Sequence, residues 1–107
     1  MKTKTADLQG QALDWAVAKC EGPRANAYGD DVDEFIQYSR DWSEGGPIIE
    51  REKSQITPDE YHSMWCAFMT LEGTGFEYWG PTPLIAAMRC YVASRMGDEI
   101  DVPEELI

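Results

Sequence analysis

Residues 80–97 read GPTPLIAAMRCYVASRMG, and this stretch carries its own start signal, apolar surface and stop. Thr82 can accept an amide of the first turn as N-cap, and Pro83 fits the first helical position, where its missing N–H costs nothing. Leu84, Met88, Tyr91 and Val92 recur at i, i+4, i+7 and i+8, while Ile85, Ala86, Ala87 and Cys90 extend the apolar surface almost all the way round. The pattern therefore predicts a helix from Thr82 to Met96 that is covered on more than one side. Gly97 can take the left-handed conformation that ends it, and Arg95 puts a cation near the negative end of the dipole.

What covers that helix is read from the residues on either side. Ser63 to Thr70 places Trp65, Ala67 and Met69 on one side and Met64, Cys66 and Phe68 on the other, so both faces of a strand here are apolar. A turn containing Gly73 and Gly75 leads to a second strand through Phe76, Tyr78 and Trp79, which makes a hairpin. Ile56 to Tyr61 reads as a third strand, confined by Pro58 to an edge or a bulge. Upstream, residues 5–21 read as a helix with Leu13, Ala16, Val17 and Cys20 in its stripe; Gly10 weakens its start, so its regular part is expected from about Gln11. Residues 34–38 are compatible with a short strand or a loop, and Pro47 fits the opening of a short helix through Ile48, Ile49 and Glu50 or the start of an edge strand, the helix being preferred. The sum is an α+β domain: an antiparallel sheet of about three strands packed with N-terminal and C-terminal helices, resembling an α/β/α sandwich. The doubly apolar strand calls for helices on both sides or for a homo-oligomer through one face.

Composition bounds the function more than it names it. At 107 residues the chain has the length of one domain, with a variable acidic loop expected at about residues 24–37 and an acidic tail over 98–107. Twenty Asp plus Glu against nine Lys plus Arg give a net charge of −11, which repels nucleic-acid phosphate and anionic lipid and suits a basic protein surface. Five of those acids, Asp98, Glu99, Asp101, Glu104 and Glu105, lie in the tail, where Ile100, Val102 and Leu106 can still dock. Three widely spaced cysteines read as reduced core thiols, and no Cys/His spacing suggests zinc. No apolar run approaches the ~20 residues that cross a bilayer, and a cytoplasmic location is expected.

No catalytic constellation stands out. His62 has only Glu60 for a neighbouring carboxylate, no serine lies in G-x-S-x-G, and the acids Asp30 to Glu34 lack the glycine and fifth-position oxygen of a calcium loop. No catalytic residue, metal or cofactor is therefore assigned. Arg89 interrupts the apolar helix and needs a partner if buried, for which Glu50, Glu52 and Asp14 are candidates.

The blocks ALDWAVAKCEG (12–22), YSRDWSEGGPIIERE (38–52) and TPLIAAMRCYVASRMGDE (82–99) together span most of the chain. On these blocks it closely resembles the NinX-like family of small phage and prophage proteins and, more distantly, the phage α/β/α sandwich domain family. It departs from the pattern mainly in Asn26 to Ile36. The resemblance implies a phage accessory protein working in the infected bacterial cytoplasm, with no family catalytic residue to carry over. Two modes of binding are expected. In the first, a small anionic, nucleotide-like ligand is held at a junction of Trp79, Thr82 and Arg89, completed by Trp42 and Arg51, and a host defence signal is thereby sequestered. In the second, the acidic surface blocks a basic, nucleic-acid-binding surface of a host protein. A structural or regulatory phage component is the third possibility.

Overall fold

A computed structural model of the protein describes residues 1–22 and 36–107. The described chain runs β1 (Lys2–Lys4), α1 (Gly10–Glu21), α2 (Trp42–Glu52), β2 (Gln55–Asp59), β3 (Met64–Leu71), β4 (Thr74–Gly80), α3 (Pro83–Met96) and β5 (Glu99–Asp101), with 3₁₀ turns at Thr5–Asp7 and Glu104–Leu106. This is the expected α+β class, with a three-stranded antiparallel sheet ordered β2-β3-β4 and a separate pair, β1-β5.

The helix that organises the molecule is α3. The Thr82 hydroxyl accepts the Ile85 amide at 3.1 Å, Pro83 opens the first turn, and Gly97 closes it with φ +89° and ψ −173°. Those dihedrals belong to glycine's mirror-image extended region, not to the left-handed helical one, so glycine is still required but the cap is a different one. Every residue from Ala86 to Ala93 is buried, because α3 is a middle layer with the β2-β3-β4 sheet on one side and α1 and α2 on the other. Its alanines permit this closeness. A Cβ added to Gly80 would stand 2.7 Å from the Ala86 amide nitrogen, so the end of β4 passes α3 where no side chain fits.

Within the sheet, Glu72 and Gly73 join β3 to β4 with φ of 51° and 83°, a two-residue hairpin turn with both central residues left-handed. Ile56, Trp65, Ala67, Met69, Phe76 and Tyr78 face α3, whereas Thr57, Cys66, Phe68, Glu77 and Trp79 face away from it. Pro58 lies on the edge strand, where a missing N–H is harmless.

Several local expectations are corrected. The first helix does not run from Thr5: a 3₁₀ turn is followed by Gly10 at φ +57°, and α1 begins there. The second helix opens at Trp42 instead of Pro47, since Asp41 accepts the Ser43 amide at 2.9 Å and Glu44 follows in the first turn. That cap, with an acid near the positive end of the dipole, outweighs the one helical hydrogen bond Pro47 forgoes inside the helix. Of the possible strand over 34–38, residues 36–38 are described and do not form one; Tyr38–Arg40 is a turn. The acidic loop and the Asp30 to Glu34 acids lie almost wholly outside the described residues.

The tail is docked, as its apolar residues allow. Lys2, Thr3 and Lys4 pair with Asp101, Ile100 and Glu99, and Ile100, Val102 and Leu106 are buried. The terminal ammonium donates to Asp101 at 2.6 Å and to the Val102 carbonyl at 2.8 Å, and the Thr5 hydroxyl donates to the Gly97 carbonyl at 2.7 Å.

Candidate functional site

Cross-strand pairing lays out the open face of the sheet in rows: Asp59 beside Met64, then Thr57, Cys66 and Trp79, then Gln55, Phe68 and Glu77. The faces of β3 differ sharply: Ala67 and Met69 are fully covered by α3, while Cys66 and Phe68 are half-buried and Trp79 beside them is 40% exposed. A groove of about 500 Å³ runs over this surface, lined by Thr57, Pro58, Asp59, Glu60, Cys66, Glu77 and Trp79. Asp59 is its hub. It accepts from the His62 ring at 2.8 Å, from the His62 amide at 3.2 Å and from the Trp79 indole N–H at 3.1 Å. The His62 contact foremost, with burial opposing, holds the Asp59 carboxyl below its ordinary range, so the groove keeps its negative charge. Burial first, then the charges of Glu77 and Asp59, push the Cys66 thiol up, which leaves it a poor nucleophile beside the His62–Asp59 pair.

The five residues expected to form one anion pocket are divided among four places. Arg89 is in the core. Its Nε donates to the Leu8 carbonyl at 2.7 Å and its Nη1 to the Trp79 carbonyl at 2.9 Å, so its partners are two backbone oxygens and not Glu50, Glu52 or Asp14. Burial pushes the guanidinium pKa down, with the Asp7 charge opposing, and the side chain bolts the chain before α1 to the end of β4. Trp79 therefore meets Arg89 through its carbonyl alone, while its ring lies on the groove. Arg51 sits on α2 and donates to Glu21 at 2.7 Å, to Glu52 at 2.9 Å and to the Tyr91 hydroxyl at 3.1 Å. Arg95 joins this cluster through Glu52 at 2.7 Å.

Trp42 and Thr82 come together as side chains. They share a depression of about 260 Å³ with Ser39, Arg40, Leu84 and Ile85, where the first turns of α2 and α3 meet. Arg40 was not singled out from the sequence. It belongs to a network around Asp14, a fully buried carboxylate on α1 that accepts from the Ser39 amide at 2.8 Å, the Ser39 hydroxyl at 2.7 Å and Arg40 Nη2 at 2.7 Å. A polar residue inside the apolar stripe of α1 was the available signal, since a buried aspartate must find donors.

Among the described residues no helix is long and apolar enough to cross a membrane, no three metal-ligating side chains are gathered, and no buried side-chain nitrogen or oxygen lacks a hydrogen bond. A middle-layer helix, an acidic groove on an open sheet face and a tail closed onto the N-terminus define a small α+β protein. The chain belongs to the family described as bacteriophage P22, NinX, whose model matches residues 4–95. Membership makes it a small phage accessory protein. No curated protein matches the chain.

Proposed function

We propose that this is a non-enzymatic accessory protein that acts by binding in the cytoplasm of the bacterial host, with its acidic surface occupying a basic, nucleic-acid-binding surface of a host protein and so blunting a host process such as defence. The observation that supports this reading is how the described arginines are committed. Arg40, Arg51 and Arg95 each face a carboxylate and Arg89 two carbonyls, so the described arginines are engaged internally while the chain as a whole carries −11. Such a surface repels nucleic acid and anionic membranes and attracts a basic protein.

A second reading is favoured by one observation, the depression in which Trp42 and Thr82 meet beside Arg40. In it the protein sequesters a small, planar, nucleotide-like signal, stacked on Trp42 between two helix N-termini. Copurification from infected cells separates the two. A host protein that leaves progressively as salt rises, and that loses its own nucleic acid when bound, is the expected result. A small anionic mass retained in native mass spectrometry and lost in Trp42→Ala replaces it with the ligand reading. Reproducible turnover of a nucleotide, abolished in His62→Ala, overturns the non-enzymatic assignment altogether.

A further inference from the structure

Resting on the acidic-surface reading, we infer that the contact surface is the open face of the β2-β3-β4 sheet, and that its groove receives an arginine side chain of the partner, stacked on Trp79 and paired with Glu60 and Glu77. Three observations meet here. The first is an aromatic ring held ready: Trp79 is 40% exposed, yet its indole N–H is tied to Asp59 at 3.1 Å, so the ring is fixed in place before any partner arrives. A preset aromatic face loses little freedom on binding and attracts a cation through its ring quadrupole.

The second is charge. Among the described residues the groove lining holds Asp59, Glu60 and Glu77 and not one Lys or Arg. Asp59 is engaged by Trp79 and His62, whereas Glu60 and Glu77 are exposed and enter none of the salt bridges formed among the described residues. Two carboxylates beside an indole suit a guanidinium better than an ammonium, because the planar fork can stack and pair at once.

The third is apolar surface at the centre with an aromatic at the rim. Cys66 and Phe68 are half-buried in the middle of the face, and Tyr61, at the β2–β3 turn, is 91% exposed with its ring edge-on to His62 at 4.8 Å between centroids. An apolar centre with aromatic anchors and a charged rim is the composition of a protein contact. A second copy of this chain is the poorer occupant, since two such faces would bring their acids together.

The probe is a short peptide of alternating arginine and serine, titrated into the isotopically labelled full chain while backbone and indole N–H resonances are followed. Shifts centred on Thr57, Asp59, Cys66, Glu77 and the Trp79 indole are expected. Trp79→Ala and Glu77→Lys should each weaken binding roughly tenfold, the scale of one desolvated cation–π or ion-pair contact, with native-like spectra elsewhere. Glu105→Lys, the same charge change on the tail, should weaken it no more than about threefold, as expected of distant screened charges. Binding that shifts residues elsewhere, or that Glu105→Lys weakens as much as Glu77→Lys, overturns this face and leaves the acidic-surface reading standing. No binding even at low salt sinks both. A doubled mass in light scattering, with the same resonances broadened by concentration alone, gives the face to a second copy and overturns the inference.

Discussion

The two faces of strand β3 start from nearly the same chemistry and end in different environments. Trp65, Ala67 and Met69 look toward α3, with Ala67 and Met69 almost completely removed from solvent. Met64, Cys66 and Phe68, one residue out of phase, look the other way, where Cys66 lines a groove edged by carboxylates. The lesson is that apolar character makes a face coverable, while its neighbours decide what covers it. The inner face meets Ala86 and Cys90 on a helix that bears no acid; the outer face meets Glu77, Asp59 and Glu60.

Charge insertion breaks this comparison most strongly. Met88 is wholly buried on α3, so Met88→Asp should leave no cooperative thermal transition, because an unpaired buried charge costs far more than a typical substitution. The same acid on the outer face, Thr57→Asp, should change stability by no more than about 0.5 kcal/mol. A folded Met88→Asp protein would show that the helix side is not sealed.

Next in size is the polar anchor of that sealed side. Asp14→Ala removes the acceptor of Ser39 and Arg40 and should cost about 3–5 kcal/mol in denaturant unfolding. A change near zero would mean that the turn at Tyr38–Arg40 holds without it.

Two glycines of β4 sharpen the contrast on a smaller scale. Gly80→Ala drives a methyl to 2.7 Å from the backbone nitrogen of Ala86 and should cost about 1–3 kcal/mol. Gly75→Ala, on the open face, meets only the half-exposed ring of Phe68 at 3.0 Å, which can swing away, so the melting temperature should scarcely move. Equal losses at the two positions would place the outer face under unrecognised constraint.

The smallest effect is with acid. Burial alone would raise the Glu21 carboxyl, but hydrogen bonds from Arg51 and Tyr91 outweigh it and hold it below its ordinary range; Glu52 behaves likewise through Arg51 and Arg95. A carboxyl depressed in the folded state stabilises above its unfolded value of about 4.3, and that stability is lost as the pH falls through the folded value. Melting temperature should therefore decline below about pH 4.3 in the wild type, with a shallower decline in Glu21→Gln. Parallel declines would mean that the Glu21 cluster contributes nothing.

The sequence by itself determined the elements whose signals are local. Thr82-Pro83 and Gly97 bracket α3 because a cap, a fixed φ and a residue free of Cβ act within a few positions of where they stand. Alternation over 63–70 gave the doubly apolar strand, and the glycine-bearing turn gave the hairpin, for the same reason. Tertiary structure decided everything that depends on residues far apart in the chain. The pairing of Lys2–Lys4 with Glu99–Asp101 has no local signature, since three residues of strand are stabilised only by a partner from the other end. Five residues of suitable chemistry did not make one pocket, because a buried guanidinium goes to the nearest unsatisfied acceptor: for Arg89 these were the carbonyls of Leu8 and Trp79, a choice visible only once α3 lay between them.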